Sequence, residues 1–75
     1  MTKSDKVALC KLLGKRIKTA RSKKGITLEK LAYGAEISKG NLSEIENGLR
    51  DPRFSTLHSI AECLEASVSE LLKDL

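Results

Sequence analysis

The sequence predicts an all-α fold of five short helices packed as one small domain. Apolar residues recur at spacings of three and four. Residues that cap helix ends stand at most starts and stops. No stretch alternates polar and apolar for long enough to make a strand. The chain has 75 residues, enough for one domain (1–75) with a single small core.

The first helix is expected to start at a Ser4 or Asp5 cap and to run to about Lys24, leaving residues 1–4 as a loose end. Cys10, Leu13, Ile17 and Ala20 make its apolar stripe, flanked by Leu9 and Leu12, while Lys11, Lys15, Lys18 and Lys23 point elsewhere. Lys23 and Lys24 suit the negative pole of the helix dipole, and Gly25 stops the helix. Thr27 caps the second helix. Its capping box is incomplete, because Lys30 stands where Glu or Gln would reach back. Leu28, Leu31, Ala32 and Ala35 fall at i, i+3, i+4 and i+7 along it.

A short turn, Tyr33–Ile37, follows, with Ile37 directed into the core. Ser38 caps a third helix reaching Glu46. Leu42 and Ile45 form its inward face, and Lys39, Gly40, Asn41, Ser43 and Glu44 its outer side. Gly40 costs this helix roughly 0.5–1 kcal/mol relative to alanine and leaves room for another backbone. Gly48 closes the helix, and residues 47–53 read as a loop from their Asn-Gly and Asp-Pro pairs. The fourth helix runs from about Phe54 to Leu64 on a stripe of Phe54, Leu57, Ile60, Ala61 and Leu64. The fifth opens with a full capping box, Ser67 to Glu70, before Val68, Leu71, Leu72 and Leu75.

Composition narrows the function classes. The chain is 40% hydrophobic and 32% charged, and no apolar run approaches a membrane span. The net charge of +4 is uneven: residues 1–25 carry +8 and residues 26–75 carry −4. A basic chain favours a polyanionic partner. Cys10 and Cys63 stand far apart and read as reduced, packed thiols of a cytoplasmic protein. His58 is the only histidine and has no cysteine near it in sequence, so the usual zinc-ligand spacing is missing and no metal is expected. Neither a phosphate-binding Gly-rich loop nor a nucleophile–histidine set is present, so no cofactor and no enzymatic activity are expected.

Several stretches, taken jointly, resemble the phage-repressor and Cro-like helix-turn-helix family of Xre type, over roughly Leu13 to Leu72. They are LGKRIKTAR at Leu13–Arg21, GIT followed by LA at Gly25–Ala32, LSEIENG at Leu42–Gly48, then Pro52, Thr56-Leu57, Ile60-Ala61, Leu64 and Ser67 with Glu70-Leu71. The resemblance implies a lambda-repressor-like fold with the helix-turn-helix at helices two and three. It implies a structural ion pair between Arg21 and Glu46. It also implies that the third helix enters the major groove, with Lys39, Gly40, Asn41, Ser43 and Glu44 as base readers. Lys39 can donate to guanine, Asn41 can pair with adenine or hold phosphate, and Glu44 can accept from cytosine. DNA-backbone contacts are implied at Lys23, Lys24, Thr27, Leu28, Asn47 and Arg50, and Arg53 matches a position that can approach the minor groove.

Three departures from the family pattern stand out. Leu28 replaces a frequent glutamine that bonds DNA, and Glu36 and Glu65 replace glycines in turns. The resemblance implies a transcriptional regulator, a repressor or a restriction-modification controller, with no sensor, protease or ligand domain after Leu75. It would act as a homodimer on a near-palindromic operator of double-stranded DNA. Val68, Leu71, Leu72 and Leu75 are the expected dimer surface. Two alternatives stay open: an antitoxin that binds a toxin and its own operator, and a protein-interaction module of the same fold.

Overall fold

The computed structural model describes residues 1–75 as five helices and no strand. They are α1 (Lys3–Lys24), α2 (Leu28–Gly34), α3 (Lys39–Glu46), α4 (Phe54–Cys63) and α5 (Val68–Leu72). Helix α1 lies against α3 and α5, α2 packs on α3 and α4, and α4 closes onto α5. Leu13 and Ile17 of α1 meet Leu31, Ala32, Ala35, Leu42, Ile45, Leu57, Ile60, Ala61, Leu64 and Leu71 in one core. Each fully buried Leu or Ile there contributes about 1.5–3 kcal/mol, and five side chains from four segments are sealed almost completely: Ile17, Leu31, Leu42, Ile45 and Ile60.

The start of α1 differs from expectation. Thr2, rather than Ser4 or Asp5, is the N-cap, so Lys3 and Ser4 are helical and not a loose end. The Thr2 hydroxyl accepts from the Asp5 N–H at 3.1 Å, and Asp5 Oδ2 accepts from the Thr2 N–H at 2.9 Å. The box runs Thr-x-x-Asp rather than ending in Glu or Gln, and a shorter carboxylate closes it equally well here. The other caps sit where the sequence puts them: Thr27, Ser38 and Ser67 each accept from the N–H three residues on.

Four further expectations shift. Phe54 lies on the first turn of α4 and is 71% exposed, so the inward stripe of that helix begins at Leu57. A residue in the first turn overhangs the end of the core it was expected to fill. Cys10 and Cys63 are free thiols and only half-buried. Gly40 has open space where a side chain would be, so no backbone of this chain approaches it. The α5 set divides: Leu71 is 4% exposed and belongs to the core, Val68 leans on that core, and only Leu72 and Leu75 stay outward.

Close approach fixes how α1 crosses α3. A methyl at Gly14 would collide with the carbonyl oxygens of Ile45 and Glu46 at the end of α3. Reciprocally, Gly48 (φ 74°) lies so near α1 that a Cβ would stand 2.7 Å from Lys11 Cα. Helix α1 is notched at Gly14 for the end of α3, and the turn that follows α3 is notched at Gly48 for α1. The turns at Glu36 (φ 59°) and Glu65 (φ 55°) are left-handed although neither residue is glycine, a strain of roughly 1 kcal/mol each.

Candidate nucleic-acid interface

Helix α3 has two chemically different sides. Leu42, Ile45 and Glu46 are buried, whereas Lys39, Gly40 and Glu44 are exposed and Ser43 is half-exposed. The exposed side therefore stands on a scaffold that its own opposite side helps to build. Arg21 braces the far end. Its Nε donates to Glu46 Oε2 at 2.8 Å, Nη2 to Glu46 Oε1 at 3.0 Å, and Nη1 to the Ile26 carbonyl at 3.0 Å. The Glu46 side chain is only 4% exposed. The hydrogen bonds to Glu46 hold the Arg21 guanidinium even more firmly protonated than usual, against the opposing effect of its partial burial. The clasp joins α1, the α1–α2 turn and α3 at one point.

The outward polar groups of α3 are engaged within the chain. Lys39 Nζ donates to Glu29 Oε2 at 3.3 Å, linking the starts of α3 and α2. Arg50 Nη2 donates to Glu44 Oε1 at 2.9 Å, tying the α3–α4 loop back to the helix. Asn47 Nδ2 reaches Ser43 Oγ at 3.5 Å. Two cations thus face two carboxylates, and this surface is locally neutral although the chain as a whole is basic.

Asn41 is half-buried, like Ser43, and turns its amide oxygen inward. Its Oδ1 is sealed from solvent with no hydrogen-bond partner, and it lines a cleft with Ile37, Ile45, Arg50, Pro52, Arg53 and Thr56. Leu28, half-buried, packs against the core, and its main chain opens α2. Thr27 uses its hydroxyl on the Lys30 N–H. Lys23 lines the groove between α1 and α5, and Lys24 pairs with Glu65 at 2.7 Å, so both lie on the α5 side of α1 rather than beside α3. Arg53 heads α4 as an exposed residue with no side-chain bond to the helix end. The sequence reading missed Glu29 and Gly14. Glu29 lies ten residues from Lys39, and only the fold brings them together. Gly14 stands in the middle of a long helix, where a glycine is otherwise unfavourable, and that was its available signal.

The helix-turn-helix domain family matches residues 14–74, nearly the whole chain. The protein belongs to the Xre-type helix-turn-helix family. This helix-turn-helix chain is 38% identical over 64 residues to the HTH-type transcriptional regulator SinR of Bacillus subtilis (strain 168), covering 84% of itself and 58% of SinR. It spans just over half the length of such curated relatives. Its fold superposes with a TM-score of 0.84 on the clp gene regulator ClgR from Corynebacterium glutamicum, at 38% identity over 85% of this chain and 68% of that one. SinR solved in complex with DNA is similar with a TM-score of 0.77, at 39% identity over 81% of this helix-turn-helix chain and 98% of that one.

Proposed function

We propose that this domain is a transcriptional regulator that binds duplex DNA with α3 in the major groove and acts as a homodimer on a near-palindromic operator. One observation carries the reading: α3 buries Leu42 and Ile45 and leaves Lys39, Gly40, Ser43 and Glu44 facing out from a braced scaffold. A major groove about 12 Å wide accepts a helix presented in this way. Likeness to a regulator solved with DNA supports the same reading. Lys39, Ser43 and Glu44 then read base edges, with Gly40 allowing close approach. Arg50, Asn47, Arg53 and the Thr27–Leu28 main chain hold phosphates. Asn41, whose side chain bonds nothing within the chain, stays a candidate for a base or a phosphate at the edge of this surface. Leu72 and Leu75, beside Leu9 and Cys10 of α1, are the candidate dimer contact. No helix is long and apolar enough to cross a membrane, and cytoplasmic access to DNA fits this role.

Selection of bound sites from a random duplex pool, followed by a salt series on the recovered site, tests the reading. A DNA reader loses affinity linearly in log[salt], with a slope of about −0.9 per phosphate neutralised. The exposed side chains of Tyr33, Leu49 and Phe54 favour a second reading, a protein-interaction module. Such a module shows no DNA affinity even at low salt. Sedimentation at micromolar concentration, with and without DNA, tests the dimer.

A further inference from the structure

We propose that Glu29 sets the DNA affinity of this domain by competing with DNA for Lys39. The proposal rests on the reading of α3 as the DNA-contacting helix. Lys39 is the only cation on α3, and its Nζ lies 3.3 Å from Glu29 Oε2. The two residues come from different helices of the motif, and both side chains are more than half exposed, so nothing but the pair itself holds the ammonium there. The carboxyl of Glu29 is kept below the usual range, first by its own backbone N–H and then by Lys39, so it is ionised throughout the neutral range.

A Lys39 ammonium that reaches out to a guanine or a phosphate gives up part or all of its contact with this carboxylate, because the lysine stem has to swing away from α2. The exchange subtracts from the affinity that the same lysine provides. The vacated carboxylate also repels DNA, but that second effect does not depend on Lys39. Glu29 is thus a positioning residue: it acts on DNA through the lysine of the neighbouring helix.

A double-mutant cycle of Glu29→Gln and Lys39→Met separates the two effects, read by fluorescence anisotropy on the duplex recovered from the random pool. Glu29→Gln should tighten binding by about 1.4- to fivefold, the range an exposed ion pair spans, while the melting temperature falls slightly, because the charged carboxyl is the form that folding favours. The gain should fall to less than half in the Lys39→Met background. Equal tightening in both backgrounds, no tightening, or weaker binding overturns the proposal. If the unaltered protein binds no duplex at low salt, the DNA reading itself fails and takes the proposal with it.

Discussion

The Arg21 guanidinium meets the Glu46 carboxylate with two N–H groups against two oxygens, at the junction of α1, the α1–α2 turn and the end of α3. Arg21→Ala leaves the Glu46 carboxylate enclosed without a cation. The expected loss is about 3–5 kcal/mol, which for a domain this small lowers the melting temperature by some tens of degrees or unfolds it. Urea denaturation followed by circular dichroism measures it. A loss under about 1 kcal/mol would mean that the pair behaves as an exposed one.

Gly14→Ala should destabilise, although alanine is normally better than glycine in a helix by roughly 0.5–1 kcal/mol. The added methyl meets two backbone carbonyls, which cannot rotate away as a side chain can. The net cost should be about 1–3 kcal/mol. Equilibrium denaturation decides the sign.

Gly40→Ala should show the opposite pattern. The position is open, so the helix gains about 0.5–1 kcal/mol. If α3 enters a groove there, the same methyl weakens DNA binding. A protein that melts higher and binds duplex less tightly is the expected result, and equal or tighter binding would remove Gly40 from the contact surface.

Phe54→Ala should change stability by less than about 0.5 kcal/mol, because the ring stands outside the core. Leu57→Ala, one turn later on the same helix, should cost about 2–5 kcal/mol. Paired thermal melts test the contrast directly.

Acid should loosen the two ends of the α1 contact set. The backbone N–H and then the hydroxyl of Thr2 hold the Asp5 carboxyl below its ordinary value, and hydrogen bonding and then charge from Lys24 do the same for Glu65. A carboxyl whose pKa is depressed by folding stabilises the fold above its unfolded value. That contribution is lost as pH falls through the folded value. Stability should therefore hold from neutrality down to about pH 4 and decline below. Asp5→Asn should flatten part of that decline in acid-titration melts.

Most of the architecture could be read from local chemistry. Thr27, Ser38 and Ser67 each stand one residue before the first helical residue, and capping is a bond to a group three residues away. What could not be read was set by contacts between different elements. The Lys39–Glu29 and Glu44–Arg50 pairs depend on how two helices and a loop are folded together, and no periodicity encodes that. Phe54 was misplaced because a helical period says which side a residue shares, not whether the neighbouring helix extends far enough to cover it. Leu71 was misassigned to an outer surface for the converse reason: five residues of α5 form one contact with α1 and α4, and their apolar spacing alone cannot separate the inward leucine from the outward one.

The division of α3 into a sealed side and an open side has a practical consequence. Side chains at Lys39, Ser43 and Glu44 carry little of the folding energy, while Leu42 and Ile45 carry much of it. The outer letters of this helix can be rewritten without renegotiating the frame beneath them. A library randomised at those three positions should keep most of its members folded, which makes the domain a tractable starting point for retargeting.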